Sequence, residues 1–209
     1  MEITAPVLAG RWVRLEPFAE EHRAGLRAAS DDDRVWQFMT VDGRGPGFDR
    51  VFDDALAQRA AGKRLPYVVR LLATDELIGA TSYIEPIPMH KRVEIGWTWY
   101  RPDRWAGAVN PECKFLLLAH AFETLGLNRV QLVTDLLNTR SQAAIAKLGA
   151  TREGVLRAHT ITRGGRIRDT VVFSITAPEW PRVKEGLLAR LTAFEANGRS
   201  EVTGGTDPL

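Results

Sequence analysis

Apolar and polar positions follow two periods along this chain, alternation and helical spacing, and these divide it into elements. Arg11–Pro17 sets Trp12, Val13 and Leu15 among charged residues and predicts a first strand. Glu20–Ala29 predicts a short helix, stopped by the Asp31–Asp33 turn. Trp36–Phe48 mixes aromatics with Gly and Pro and predicts a loop, of a length that compact domains often use for function. Asp49–Ala61 places Val51, Phe52, Ala55 and Leu56 on one helical face, with Gly62 as its stop. Three strands are predicted next, Leu65–Ala73, Leu77–Glu85 and Arg92–Tyr100, separated by Thr74–Glu76 and Pro86–Pro88.

Pro111–Leu125 predicts a long central helix, with Asn110 as N-cap, Pro111 in the first turn and Gly126 at its end. Arg129–Asp135 is rich in Val, Leu and Thr and predicts a strand; Asn138 then caps a helix over Thr139–Leu148, closed by Gly149. Thr151–Thr162 and Ile167–Thr176 flank Gly164-Gly165 as a hairpin. Pro178–Phe194 predicts an amphipathic helix bearing Trp180, Val183, Leu187, Leu188 and Leu191. Residues 1–195 are expected to form a single domain, and 196–209 a disordered tail with nothing to bury.

Composition narrows the class. The 209 residues are 44% hydrophobic and 26% charged, ordinary for a soluble globular chain long enough to close one core. A formal charge of +2, from Lys+Arg 28 against Asp+Glu 26, argues against a nucleic-acid partner. A lone cysteine, Cys113, excludes an intramolecular disulfide and a Cys-rich metal site, and no metal is expected. The N-terminus lacks a signal pattern and no apolar run approaches a membrane span, so the expectation is a cytoplasmic protein with no membrane partner.

The chemistry concentrates in Val93–Ala150. A strand ends at Tyr100-Arg101-Pro102, and Arg104-Trp-Ala-Gly107-Ala108-Val109-Asn110 then leads into a helix N-terminus. Such an end offers unpaired N–H groups and a positive dipole to phosphate. Asn138-x-x-Ser141 opens the next helix, and Lys147-Leu148-Gly149-Ala150 closes it. With HAFETLGLNRV, REGVLR at 152–157, RDTVVFSI at 168–175 and Glu179-Trp180, these segments resemble the GNAT acetyltransferase superfamily from Arg11 to about Arg190, nearest its Rim-type branch that modifies ribosomal-protein N-termini. The resemblance implies an α/β fold: a mostly antiparallel, splayed mixed sheet of about seven strands flanked by helices. It implies acetyl transfer from acetyl-CoA to a primary amine, on a protein N-terminus or a small molecule, by direct attack in a ternary complex. A homodimer is compatible with it. Rival readings are a polyamine or antibiotic acetylase and a non-catalytic acyl-CoA-binding module.

The chain departs from the family's R/Q-x-x-G-x-G/A loop: Arg104 and Gly107 fit, while Val109 replaces the last small residue. Pyrophosphate would take N–H donors from Gly107, Ala108, Val109 and Asn110. Trp99, Tyr100 and Arg101 offer a strand edge to the pantetheine amides, and an N–H near Tyr100 faces the thioester oxygen. The resemblance assigns Asn138 an amide contact with the pantetheine arm; helix capping explains the same residue. Many family members protonate the leaving thiolate with a tyrosine, but counting seven residues beyond Asn138 reaches Ile145. Ser141 is the remaining hydroxyl there. Glu94 is the candidate base, on one strand face with Gly96 and Thr98, while Val93, Ile95, Trp97 and Trp99 take the other. An ion pair with Lys91 or Arg92 is its alternative role, and His90 and His120 are other possible bases. Glu112 and Lys114 are expected to be solvated or paired. Trp36 is the candidate acceptor-site residue, and no residue suits a covalent acetyl-enzyme.

Overall fold

A computed structural model of the chain describes residues 3–196. Among these residues, eight strands form one sheet in the order β1-β2-β3-β4-β5-β6-β8-β7. They are β1 (Leu8–Ala9), β2 (Val13–Pro17), β3 (Arg64–Leu71), β4 (Leu77–Ile87), β5 (Arg92–Tyr100), β6 (Arg129–Asp135), β7 (Thr151–Ile161) and β8 (Ile167–Thr176). Every neighbouring pair is antiparallel except β5–β6. A smaller core joins one sheet face to α1 (Arg23–Ala29), α2 (Asp33–Trp36) and α3 (Gly47–Ala60). The larger core lies under α4 (Val109–Ala119), α5 (Thr139–Ala146) and α6 (Trp180–Ala196). Both sheet faces are thus covered by amphipathic helices, which a sheet buried on two sides requires.

Several expectations are corrected. The sheet has eight strands, not about seven, because Leu8–Ala9 adds an edge pair to β2. Arg11 and Trp12 fall outside β2, and their N–H groups donate to the Glu112 carboxylate. The predicted Trp36–Phe48 loop is entered through α2, where the Asp32 side chain caps the Arg34 N–H. The helix expected from Pro111 starts at Val109, with Ala108 at the N-cap position and no side-chain cap. Asn110 is therefore inside the helix rather than its cap. That helix also changes pitch: His120–Thr124 is π-helical, the Leu125 N–H donates to the His120 carbonyl, and Gly126 at φ +58° ends it. The last helix runs to Ala196, while the tail expected to be disordered lies, beyond that residue, outside the described residues.

Two irregularities shape the centre of the sheet. The parallel pairing of β5 with β6 covers Arg92–Arg129, Val93–Val130 and Glu94–Gln131, after which the strands part. Between the pairs Ser82–Gly96 and Ala80–Trp99, Trp97 and Thr98 of β5 oppose Thr81 alone. This is a β-bulge, with Trp97 at φ +49°. The extra residue inverts the alternation expected for β5. Val93, Ile95 and Tyr100 face the larger core, whereas Trp99 joins the smaller one, on the side of Glu94.

Candidate active site

The parting of β5 from β6 leaves a V-shaped cleft whose walls are Ile95–Tyr100 and Leu132–Asp135. On the β5 wall the Arg101 N–H is already donated to the Ile78 carbonyl at 2.8 Å, so Arg101 offers no amide to the cleft. Strand alternation turns the backbone of Tyr100 the other way. Its carbonyl accepts the Trp105 indole N–H at 3.0 Å, and its N–H faces the side where β6 has left. Across the mouth, the Arg140 guanidinium lies 3.5 Å from the centre of the Trp105 ring, joining the start of α5 to the loop after β5. Neither Trp105 nor Arg140 stands out in the sequence, since their pairing depends on the cleft geometry.

The loop into α4 turns at Ala106, φ +63°, and space around Gly107 is open enough that a Cβ there would meet nothing within 4 Å. Ala108 and Val109 turn their side chains into the larger core. Val109 thus packs inward rather than toward the loop. The Asn110 side chain accepts from the Tyr100 hydroxyl at 3.2 Å instead of capping the helix. The first intrahelical bond is Glu112 N–H to Ala108 C=O at 2.9 Å, which leaves the preceding amides of this end without a side-chain cap. Arg101 pairs with Asp103 at 2.8 Å, and Arg104 pairs with Asp103 at 3.2 Å and Glu76 at 3.7 Å. These carboxylates share the positive charge of the loop. The residues present suit an anionic pyrophosphate: the uncapped end of an eleven-residue helix and open space at Gly107.

Glu94 is half-buried at the point where β5 and β6 part. Its carboxylate accepts the Gln131 side-chain N–H at 3.0 Å, from the last paired residue of β6. Burial, opposed by that hydrogen bond, raises its pKa above the ordinary carboxylate value, and Glu85 adds to the rise. No ion pair ties it to Lys91 or Arg92 among the described residues. A Cβ at Gly96 would sit 3.0 Å from a Glu94 carboxylate oxygen and 2.7 Å from Ile84 Cδ1, so the glycine makes room for the acid. Gln131 escaped the sequence reading because only the parallel register reveals it.

Asn138 caps α5, its side chain accepting the Ser141 N–H at 3.0 Å. The Ser141 hydroxyl, half-buried, has no hydrogen-bond partner among the described residues. Ile145 is buried in the larger core, so the place counted for a tyrosine does not face the cleft. Trp36 is 1% exposed, donates its indole N–H to the Ser30 carbonyl at 2.8 Å and packs 5.6 Å from Trp99. It is a wall of the smaller core rather than a loop residue open to solvent. His120 is buried beside the Tyr83 hydroxyl, 3.3 Å away, and burial lowers its pKa. His90 is exposed in a turn. Glu112 and Lys114, expected to be solvated or paired, are both buried and hydrogen-bonded rather than solvated. Lys114 donates to the Thr98 hydroxyl at 2.7 Å, and burial lowers its pKa to about 8.

The chain matches the family model of the acetyltransferase (GNAT) domain over residues 13–151. The uncharacterized N-acetyltransferase YoaA of Bacillus subtilis (strain 168) is 33% identical over 105 residues, 50% of this chain and 58% of that protein. The match thus spans little more than half of that curated relative. A GCN5-related N-acetyltransferase from Brucella melitensis is 28% identical, with a TM-score of 0.82 covering 91% of this chain and 87% of the other. RimJ of Mycobacterium smegmatis, solved in complex with CoA-disulfide, shares the fold at 24% identity and a TM-score of 0.73, over 88% of this chain and 91% of that one. No helix among the described residues is long and apolar enough to cross a membrane. The domain match, the cleft between β5 and β6 and the uncapped start of α4 agree, and the chain belongs to the GNAT acetyltransferase family.

Proposed function

We propose that this protein transfers an acetyl group from acetyl-CoA to a primary amine, on a protein N-terminus or a small molecule, by direct attack within a ternary complex. The observation that carries this reading is Glu94, a half-buried carboxylate with a raised pKa at the apex of the cleft. A carboxylate held there by Gln131 suits a general base. When bound, acetyl-CoA supplies an activated thioester. The chain's amides at Gly107, Ala108 and Val109 would hold its pyrophosphate, and the Tyr100 N–H would be available to the thioester oxygen. Asn138 secures the start of α5 beside the same cleft.

Glu94 takes a proton from the acceptor ammonium, directly or through water. The freed amine nitrogen forms a bond to the thioester carbonyl carbon and the C–S bond breaks. Ser141, at the α5 N-terminus, donates a proton to the departing sulfur and regains one through water from the acylated nitrogen, which sheds its second proton, with the helix dipole sharing the work. An amide and a free thiol result. A thiol-release assay with acetyl-CoA and a panel of amines and peptides tests the reading. Amine-dependent thiol release with a mass gain on the acceptor supports it. Saturable acetyl-CoA binding without release for any acceptor would leave a binding module instead.

A further inference from the structure

The sheet face that carries Glu94 also holds a buried cation with no ion-pair partner among the described residues, Asp54 acting on it only from a distance. Arg64, at the start of β3, is 2% exposed. Its Nε donates to the Ser82 hydroxyl at 2.8 Å and its guanidinium lies 4.6 Å from the Trp97 ring centre. Its Nη1 is buried without a hydrogen-bond partner, and no carboxylate among the described residues lies within ion-pair distance. Buried guanidinium groups are ordinarily matched by carboxylates, because stripping their water is costly and the planar donor fork suits two oxygens. The ring of Trp97 offsets part of that cost but accepts no N–H in the guanidinium plane. An orphaned donor on a buried cation marks an absent acceptor.

The group's surroundings say where that acceptor comes from. Arg64 borders an aromatic pocket with Trp36, Phe52, Trp97 and Trp99. Trp97, the bulge residue of β5, and Val51 are the half-buried residues of that pocket's lining. The room inside is about 20 Å³, enough for a water-sized polar group and too small for a bulky body. Ser82, which holds Arg64, is the cross-strand partner of Gly96. The Glu94 carboxylate closes on Gly96 along its own strand, within 3.0 Å of the place its Cβ would take. A buried cation and a half-buried carboxylate thus flank one backbone position on one sheet face.

We propose that the aromatic pocket is an acceptor subsite for amines that also bear a carboxylate, with Arg64 binding the carboxylate while the amine is presented toward Glu94. The assignment rests on the acetyl-transfer reading above and narrows its acceptor. Apolar walls exclude water and strengthen the pair, and the small room takes a single carboxylate oxygen while the rest of the molecule stays outside. The carboxylate belongs either to a free amino-carboxylate or to an acidic residue next to a peptide N-terminus.

Two matched pairs test this and separate the sources: β-alanine against β-alaninamide, and Gly-Asp amide against Gly-Asn amide. The wild-type protein should favour the carboxylate member of at least one pair by ~10-fold or more in kcat/KM, as loss of a charge-assisted bond would give. In Arg64→Met that ratio should fall to near one, mainly through KM for the carboxylate member, while Arg64→Lys should keep part of it. Tryptophan fluorescence of the CoA-saturated protein, titrated with the same four compounds, reads the subsite without turnover. A saturable response to the carboxylate member, absent for its neutral partner and lost in Arg64→Met, supports the subsite even if no acceptor is acetylated, an outcome that would sink the acetyl-transfer reading alone. Acetylation with equal kcat/KM within both pairs, or a preference that persists in Arg64→Met, would overturn the subsite and leave acetyl transfer standing. Silence in both assays would overturn it as well.

Discussion

A carboxylate buried against three consecutive backbone amides fixes where α4 begins. Glu112, 4% exposed, accepts the N–H groups of Arg11, Trp12 and Val13 at 2.7, 2.8 and 2.9 Å. These bonds pin the start of β2 to the first turn of the helix that carries the anion-binding end. A Cβ on Gly10 would come within 2.4 Å of the Glu112 carboxyl carbon, so that glycine is required by close approach. Truncation would leave the two buried donors of Trp12 and Val13 unpaired and free the part-buried N–H of Arg11 to water. Glu112→Ala should therefore cost about 2 kcal/mol or more in urea unfolding, since each buried unsatisfied group costs roughly 1–3 kcal/mol. A loss below about 1 kcal/mol would show that water replaces the carboxylate. Lys114 works at the same scale: its ammonium supports Thr98, which in turn meets the Thr81 hydroxyl at 2.8 Å across the bulge.

At the level of elements, two helix N-termini face the cleft with different chemistry. The α4 end has no side-chain cap, and acetyl-CoA at about a hundred times its dissociation constant should stabilise the fold by ~2.7 kcal/mol. Gly107→Asp places a carboxylate in the open space of the loop and should abolish that shift, as thermal unfolding with and without acetyl-CoA would record. A retained shift would move the phosphate site elsewhere. The α5 end is capped by Asn138, leaving the Ser141 hydroxyl to the cleft. Ser141→Ala should slow single-turnover acetylation by ~10- to 100-fold with little change in acetyl-CoA affinity. A wild-type rate would assign that proton to solvent. The order of strands and helices was legible in periodicity, and Glu94 and the loop before α4 were legible in motif and resemblance. Asn110 as cap was not, because Tyr100 competes for its side chain. Nor was the Trp97 bulge, since a non-glycine residue at positive φ leaves no compositional mark. Arg64 and Gln131 became visible through strand register alone, β3 against β4 and β5 against β6.

Over the whole molecule, charged clasps hold surface segments together. Arg163 at the β7–β8 tip pairs with Asp33 and Asp42, and its N–H donates to the Met39 carbonyl at 3.1 Å, closing the hairpin onto the loop after α2. Hydrogen bonds from Arg44 hold Asp42 at a pKa of about 2; Arg70 does so for Glu16, and Arg129 for Glu153. Depressed carboxylate pKa values contribute stability above the unfolded-state values, near 4, and lose it as pH falls toward 2. Chemical denaturation should thus show a midpoint that declines steeply from about pH 4.5 to 2. A midpoint insensitive to pH over that range would contradict the clasps. Glu94 has the opposite character, a pKa raised by burial, and it must be deprotonated to act as a base. The most direct test of the mechanism is the single-turnover acetylation rate, measured against pH for wild type and Glu94→Gln with an amine whose own ionisation is known. The wild-type rate should rise with pH through a group titrating above the ordinary carboxylate range, and Glu94→Gln should lose that limb while recovering rate in alkali as the amine deprotonates unaided. Superimposable profiles from acid to alkali would show that Glu94 serves the structure and not the reaction.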